Sequence, residues 1–202
     1  MPGTPRSFPE DFMSIIIPTI SLSGSPGSVD TTISNGTANT GVTATEYVFD
    51  GYHVTQLTFS ALAIAAIAAA ADEAVGKLLY TLPAGTFVIR AAHMNLGLTA
   101  TAALVAADTP DVGLGMVIAT GANALLSAVA TYENVLTGQT AGNVPQTPAV
   151  GTLIIKGVTN QILIVNPLDS HAIHLNLADG WAGADAGLKA TGTVLIEWVT
   201  LT

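Results

Sequence analysis

The chain has 202 residues, enough for one sizeable β domain or a domain with an extended arm. Half of it is hydrophobic, 9% is charged, and its net charge of −9 includes only five basic residues, Arg6, Lys77, Arg90, Lys156 and Lys189. Their scatter leaves no basic stripe for nucleic acid or an anionic membrane, and the lack of cysteine removes disulfides, thiolate chemistry and cysteine-based zinc sites.

Soluble domains usually carry about 25% charged residues. A surface this poor in charge predicts large apolar patches, and such patches mark interfaces. The chain is therefore expected to be covered by copies of itself or by a larger assembly.

Residues 1–12 hold Pro2, Pro5 and Pro9 and read as an arm without packing of its own. They show neither the basic start nor the apolar core of a signal peptide. Met13 to Ile20, MSIIIPTI, is an apolar strand. Pro18 cannot donate to a ladder, which confines this strand to an edge or adds it to a neighbour's sheet. Residues 21–48 are small and polar, with Asn35-Gly36 as a hairpin signal between Thr31–Ser34 and Thr37-Ala38. The predicted organisation is an N-terminal arm over 1–45, with a possible small hairpin, followed by a sandwich over 46–202. The partner contacts are placed on Phe8, Phe12, Ile15, Ile16, Ile17 and Trp181.

In the compact part, Leu57, Phe59 and Ala61 alternate with Gln56, Thr58 and Ser60 as a half-buried strand. Ala61 to Val75 carries both helix and strand signals, and its apolar run is about half the roughly 20 residues of a membrane helix. Lys77 to Thr99, with two apolar runs around Pro83-Ala84-Gly85, reads as a central β-hairpin covered on both faces. Val112 to Thr120 follows as a strand whose Gly113 and Gly115 share a face and leave room for a close neighbour. Ala122 to Leu136 fits a short helix or a strand pair, and 137–150 a long loop. Thr152 to Lys156 and Gln161 to Asn166 read as a second hairpin. Ala172 to Ala178 puts Ile173, Leu175 and Leu177 inward and His174 and Asn176 outward. Thr193 to Leu201 closes the chain, with Trp198 on the core face beside Val194 and Ile196. About eight strands and no fixed repeat predict an all-β, jelly-roll-like antiparallel sandwich with an extended N-terminal arm.

No catalytic constellation emerges, and the chain is not expected to be an enzyme or to hold a cofactor. His53, His93, His171 and His174 are scattered. His171 and His174, three apart on a strand, point to opposite faces unless a bulge intervenes, so no metal site is expected. Asp169-Ser170-His171 has the letters of a hydrolase triad without its geometry. Gly113-Leu114-Gly115 is followed by Ile118 where a dinucleotide loop needs glycine. Trp181, in a glycine-rich loop, is either a plug at the end of the sandwich or an exposed contact.

Asp179 to Leu201, DGWAGADAGLKATGTVLIEWVTL, resembles the closing loop and strand of small virion proteins of tailed bacteriophages, and the whole composition is similar to theirs. The resemblance implies a sandwich that decorates or cements a capsid surface, typically as a trimer. The expected partners are further copies of the chain and the major capsid protein, and the expected location is the virion surface. The alternative is a carbohydrate-binding jelly-roll module of a tail or fibre, using Trp181 or Tyr52 as a stacking platform.

Overall fold

Alternating apolar and polar residues are drawn into two antiparallel sheets, whose inward side chains share one core. The computed structural model describes residues 36–49, 52–100, 108–141, 153–156, 163–165, 169–181, 183–184 and 187–201. Its strands are β1 (Thr37–Ala38), β2 (Val42–Phe49), β3 (Tyr52–Ala63), β4 (Ala74–Thr81), β5 (Thr86–Thr99), β6 (Asp111–Gly115), β7 (Leu136–Thr140), β8 (Leu153–Lys156), β9 (Leu163–Val165), β10 (Ala172–Ala178) and β11 (Lys189–Leu201). One sheet runs β1-β4-β10-β6-β7. The other runs β2-β3-β11-β5-β8, with β9 also on β5.

The antiparallel pairs β6–β7, β5–β8/β9, β4–β10 and β3–β11 nest one outside the next. That is one long ribbon rolled into two sheets, the jelly-roll arrangement, to which β1 and β2 add a strand on each side. The all-β sandwich expected from the alternation is thus the observed fold.

The rolling explains two corrections. Lys77–Thr99 is not a hairpin, because β4 and β5 lie in different sheets. The Leu82–Gly85 connection arches between them, with Leu82 N–H donating to His171 O at 2.9 Å. β4 is largely covered on both faces, but β5 is covered only on its inner one: Arg90 and Asn95 on its other face are exposed, because no layer lies over that side of the six-stranded sheet among the described residues. Nor do the described parts of the second expected hairpin, β8 and β9, pair with each other. β8 lies on Met94–Gly97 and β9 on Phe87–Ile89, both antiparallel to β5, as two successive pieces along one edge.

Bulges decide the remaining faces. On β3 the register jumps where Phe59 faces Gly192 and Leu62 faces Ala190. Ala61 adopts φ 50° there, with its N–H donating to Thr191 Oγ1 at 2.8 Å. Inward residues thus change from Leu57 and Phe59 to Leu62 and Ile64, and Ala61, expected on the core side, is exposed. The Ala-rich run beyond it forms no helix. It stays extended to Ile67 and closes a tight turn at the Ala68–Asp72 bridge.

The strand expected over 112–120 ends at Gly115, and 116–135 folds back over the outer face of β10 and β6 through short 3-10 turns at Leu126–Ala128 and Ala130–Tyr132. His174 and Asn176, expected to face solvent, are buried under it. Gly113 and Gly115 permit the approach: a Cβ on Gly113 would come within 2.8 Å of Leu136 O, and one on Gly115 would overlap the Thr131–Tyr132 backbone. The close neighbour expected at these glycines is this covering segment with the start of β7.

The expected 45/46 boundary falls inside β2, which pairs with β3 from Val42 onward. The sandwich therefore includes β1 and β2. The remainder of the arm, with Phe8, Phe12, Ile15, Ile16 and Ile17, lies outside the described residues, as do Thr31–Ser34 of the small hairpin.

Candidate functional site

The densest set of chemistry-bearing side chains sits between the sheets, where β2, β3, β4 and β11 meet. Inward parity on β3 carries His53 and Thr55 into the core with Leu57. Trp198 lies opposite His53 on β11, and their rings stack at 3.8 Å between centroids and 14° between planes. Phe87 meets the indole edge-on at 5.2 Å. A polar relay then crosses from one sheet to the other. Trp198 Nε1–H donates to Thr55 Oγ1 at 2.9 Å, and the Thr55 hydroxyl bonds the Tyr80 phenol. The Tyr80 hydroxyl donates to Glu46 Oε2 at 3.2 Å, and Glu46 Oε1 lies 2.6 Å from His53 Nδ1. Burial and the Glu46 carboxylate hold the Tyr80 phenol far above its ordinary range, so it serves as a donor.

A carboxylate on one nitrogen of a histidine is the orienting half of a proton-transfer pair. Here no substrate can approach it. His53 is 1% exposed, and its Nε2 is buried without a partner among the described residues. The arrangement is a buried tie between sheets: the Glu46 carboxyl is engaged by the Tyr80 hydroxyl and by His53 Nδ1, and the aromatic rings fill the space around it.

A second cluster lies on the outer face of the six-stranded sheet. The Tyr52 hydroxyl donates to Glu197 Oε2, while His93 Nε2 stands 4.0 Å from Glu197 Oε1. The Arg90 guanidinium covers the Tyr52 ring at 5.5 Å. Burial, then the Glu197 carboxylate, push the Tyr52 phenol up to about 12.

A cleft of about 470 Å³ opens beside β7, between the end of β10 and the 124–133 segment, lined by Asp111, Leu125, Glu133, Thr137 and Asp179 among others. Its carboxylates have structural partners. Glu133 Oε2 accepts from Gly138 N–H and Asp179 Oδ2 from Thr109 N–H, each at 2.6 Å. Burial raises the Asp179 pKa, and the Thr109 N–H opposes that shift in part.

Trp181 is the plug of the two readings. It is 2% exposed and joins the core, and its Nε1–H donates to Glu73 O at 2.9 Å. As a surface contact it has no free ring face. The histidines do not converge: His53 stacks on Trp198, His171 meets Phe87 edge-on, His93 faces Glu197 and His174 lies under the covering segment. The ladder to β4 shifts register between Ile173 and His174, but the extra residue is Leu79 on β4, so β10 itself carries no bulge. No group of three or more His, Asp or Glu side chains placed to hold a metal occurs among the described residues. The relay through Glu46 was not anticipated from sequence. His53 and Thr55 share the parity of Leu57, and that shared parity was the available signal.

His174 makes stability depend on pH. Its Nδ1 is buried without a partner among the described residues, and burial lowers its pKa, partly offset by a bond to the Gly115 backbone. The folded protein thus resists a proton that the unfolded chain accepts near pH 6.5. This contribution is fully present above that pH and is lost as pH falls below it, levelling off beneath the folded-state pKa. Thermal unfolding between pH 7.5 and 5.0 should show Tm falling with acid, and His174→Gln should flatten the slope. An unchanged slope in the variant would remove His174 as its cause.

No family model, curated protein or solved structure matches this chain.

Proposed function

We propose that this protein is a structural virion protein that decorates or cements the capsid of a tailed phage, as a homotrimer whose N-terminal arms bind neighbouring subunits. The observation carrying this reading is the outer face of the six-stranded sheet. Strand parity places Thr43 and Thr45, Val54 and Thr58, and Thr193, Leu195 and Val199 on it, with Arg90, Tyr52, Glu197 and His93 as its one linked charged cluster. Outside that cluster and the exposed Lys189 the face is Thr- and Val-rich, which is cheap to desolvate and suits packing against another protein. Further support comes from the interior: His53, Glu46, Tyr80 and Trp198 are all engaged in joining the sheets. Jelly rolls recur as viral coat domains and as sugar-binding domains, an analogy at the level of fold.

The carbohydrate-binding alternative relies on Trp181 or Tyr52. The first is buried, and the second is half-buried with the Arg90 guanidinium over its ring, which competes with a sugar for that face.

The test compares full-length protein with a form lacking residues 1–35, a cut that spares β1 and β2. The full chain should have the native mass of a trimer of 20.4 kDa subunits and should co-sediment with undecorated heads of its phage. The shortened form should keep its β-type circular dichroism and lose particle binding. Undiminished binding by the shortened form, or a full chain that remains monomeric and unbound, overturns the proposal.

A further inference from the structure

Among the described residues β2 is an edge strand with little of the usual protection, its one charged residue, Glu46, being tied into the core by His53 and Tyr80. It pairs with β3 along all eight of its residues with no bulge, and it contains neither proline nor lysine. Thr43, Ala44 and Thr45 are exposed. The other edges are less inviting: β1 has two residues, the β6–β7 ladder is irregular, and the β5 flank carries two separate pieces. A long, flat, open edge is a template for another strand.

The geometry says which backbone groups are on offer. Phe49 pairs with Tyr52 across a two-residue connection, so this closing pair exchanges both hydrogen bonds, and odd-numbered residues of β2 face β3. Even-numbered residues face away, and Val42 N–H accordingly donates to Asn39 O, outside the sheet. Ala44, Glu46 and Val48 therefore present their N–H and C=O groups to the open side.

We propose that this edge accepts, as an added strand, the Met13–Ile20 segment of a second copy of the chain, each copy donating to the next around a closed ring. The inference rests on the assembly reading above and names its acceptor. Pro18 has no N–H, so its side of the donor strand must face away, which leaves Ile15 and Ile17 to make the ladder with β2. Residues 21–35 reach about 50 Å when extended, against about 27 Å for β2 itself. Folding back onto the chain's own β2 would need only a short turn, whereas a spacer of this length suits a neighbour. Head-to-tail donation by identical subunits closes into a ring when the rotation permits, as a trimer requires.

The test uses full-length variants. Ala44→Pro removes an outward N–H that makes no bond to β3, at a position already extended, so the fold is retained and the edge is blocked. The double variant Ile15→Asp with Ile17→Asp leaves the edge open and spoils the donor. Each alone should fall from the trimer mass to that of a 20.4 kDa monomer, with β-type circular dichroism kept. Mixed, they should form a one-to-one heterodimer, because one supplies an arm and the other an edge. Backbone hydrogen exchange at Ala44, Glu46 and Val48 of the unmodified protein should slow as its concentration rises, a readout that survives if Ala44→Pro fails to fold.

An Ala44→Pro protein that stays trimeric overturns the choice of edge while leaving arm-mediated assembly standing. Monomers that fail to complement, or exchange protection independent of concentration, show pairing within one chain and overturn the donation between copies. If removal of residues 1–35 changes neither mass nor particle binding, the assembly reading itself falls.

Discussion

Replacing Trp198 by alanine is expected to lower stability by about 4 kcal/mol, in the range for emptying a large aromatic site in a packed core. For a chain of this length that is a fall in Tm of roughly 8 to 16 °C. Three losses coincide. The indole is fully buried, so its removal opens a cavity between β3, β5 and β11. His53 loses its stacking partner and Phe87 its edge-on one. The Thr55 hydroxyl loses the donor that starts the relay to Tyr80 and Glu46. Trp198→Phe separates these effects: it refills most of the volume and omits only the N–H, so about 2 kcal/mol should be lost. Urea unfolding of both variants is the measurement. Equal losses would mean that the hydrogen bond, rather than the packing, dominates; losses below 1 kcal/mol for both would remove Trp198 as an anchor of the core.

Asn176→Ala should cost about 3 kcal/mol and should loosen one region selectively. The Asn176 amide holds the covering segment at three points: Oδ1 accepts from Ala119 N–H at 2.9 Å, and Nδ2 donates to Val117 O at 2.9 Å and to Tyr132 O at 2.8 Å. Alanine leaves a backbone donor and two carbonyls without partners at a fully buried position, each worth about 1 to 3 kcal/mol, with part recovered where water enters. Asn176→Asp should be worse, because a carboxylate supplies no donor and would face both carbonyls. Limited proteolysis should cut both variants within 117–135 well before the sandwich unfolds. A variant that unfolds as one unit, with no early cut there, would show that the segment is held by its apolar contacts instead.

Both anchors were unevenly legible in the sequence. Alternation puts Trp198 on the core side with Val194 and Ile196, because period-2 alternation is local and the last strand carries no bulge between those residues. The inward faces of β10 and of the first half of β5 were readable for the same reason. The same alternation puts Asn176 toward solvent, since alternation says which residues share a face and nothing about what covers the far side. The cover comes from 116–135, more than 40 residues earlier in the chain. The one hint of it was the room that Gly113 and Gly115 leave.

The sequence by itself determined that this is an all-β sandwich, which side chains of the regular strands enter the core, and that Trp181 had either to plug the end or to stand exposed. Those properties follow from composition and from a period of two residues. Strand partnership was decided only in three dimensions. Runs that are adjacent in the chain, such as Lys77–Thr81 and Thr86–Thr99, look like a hairpin, because turn chemistry is the same whether a connection reverses within a sheet or arches across to the other. The choice depends on β10 and β11, which arrive about 100 residues later to claim the free edges of β4 and β5. Bulges at Ala61 on β3 and at Arg90 on β5, opposite Trp198, likewise reset the inward parity of those strands by a single residue, and the choice of that residue rests on packing between strands far apart in sequence.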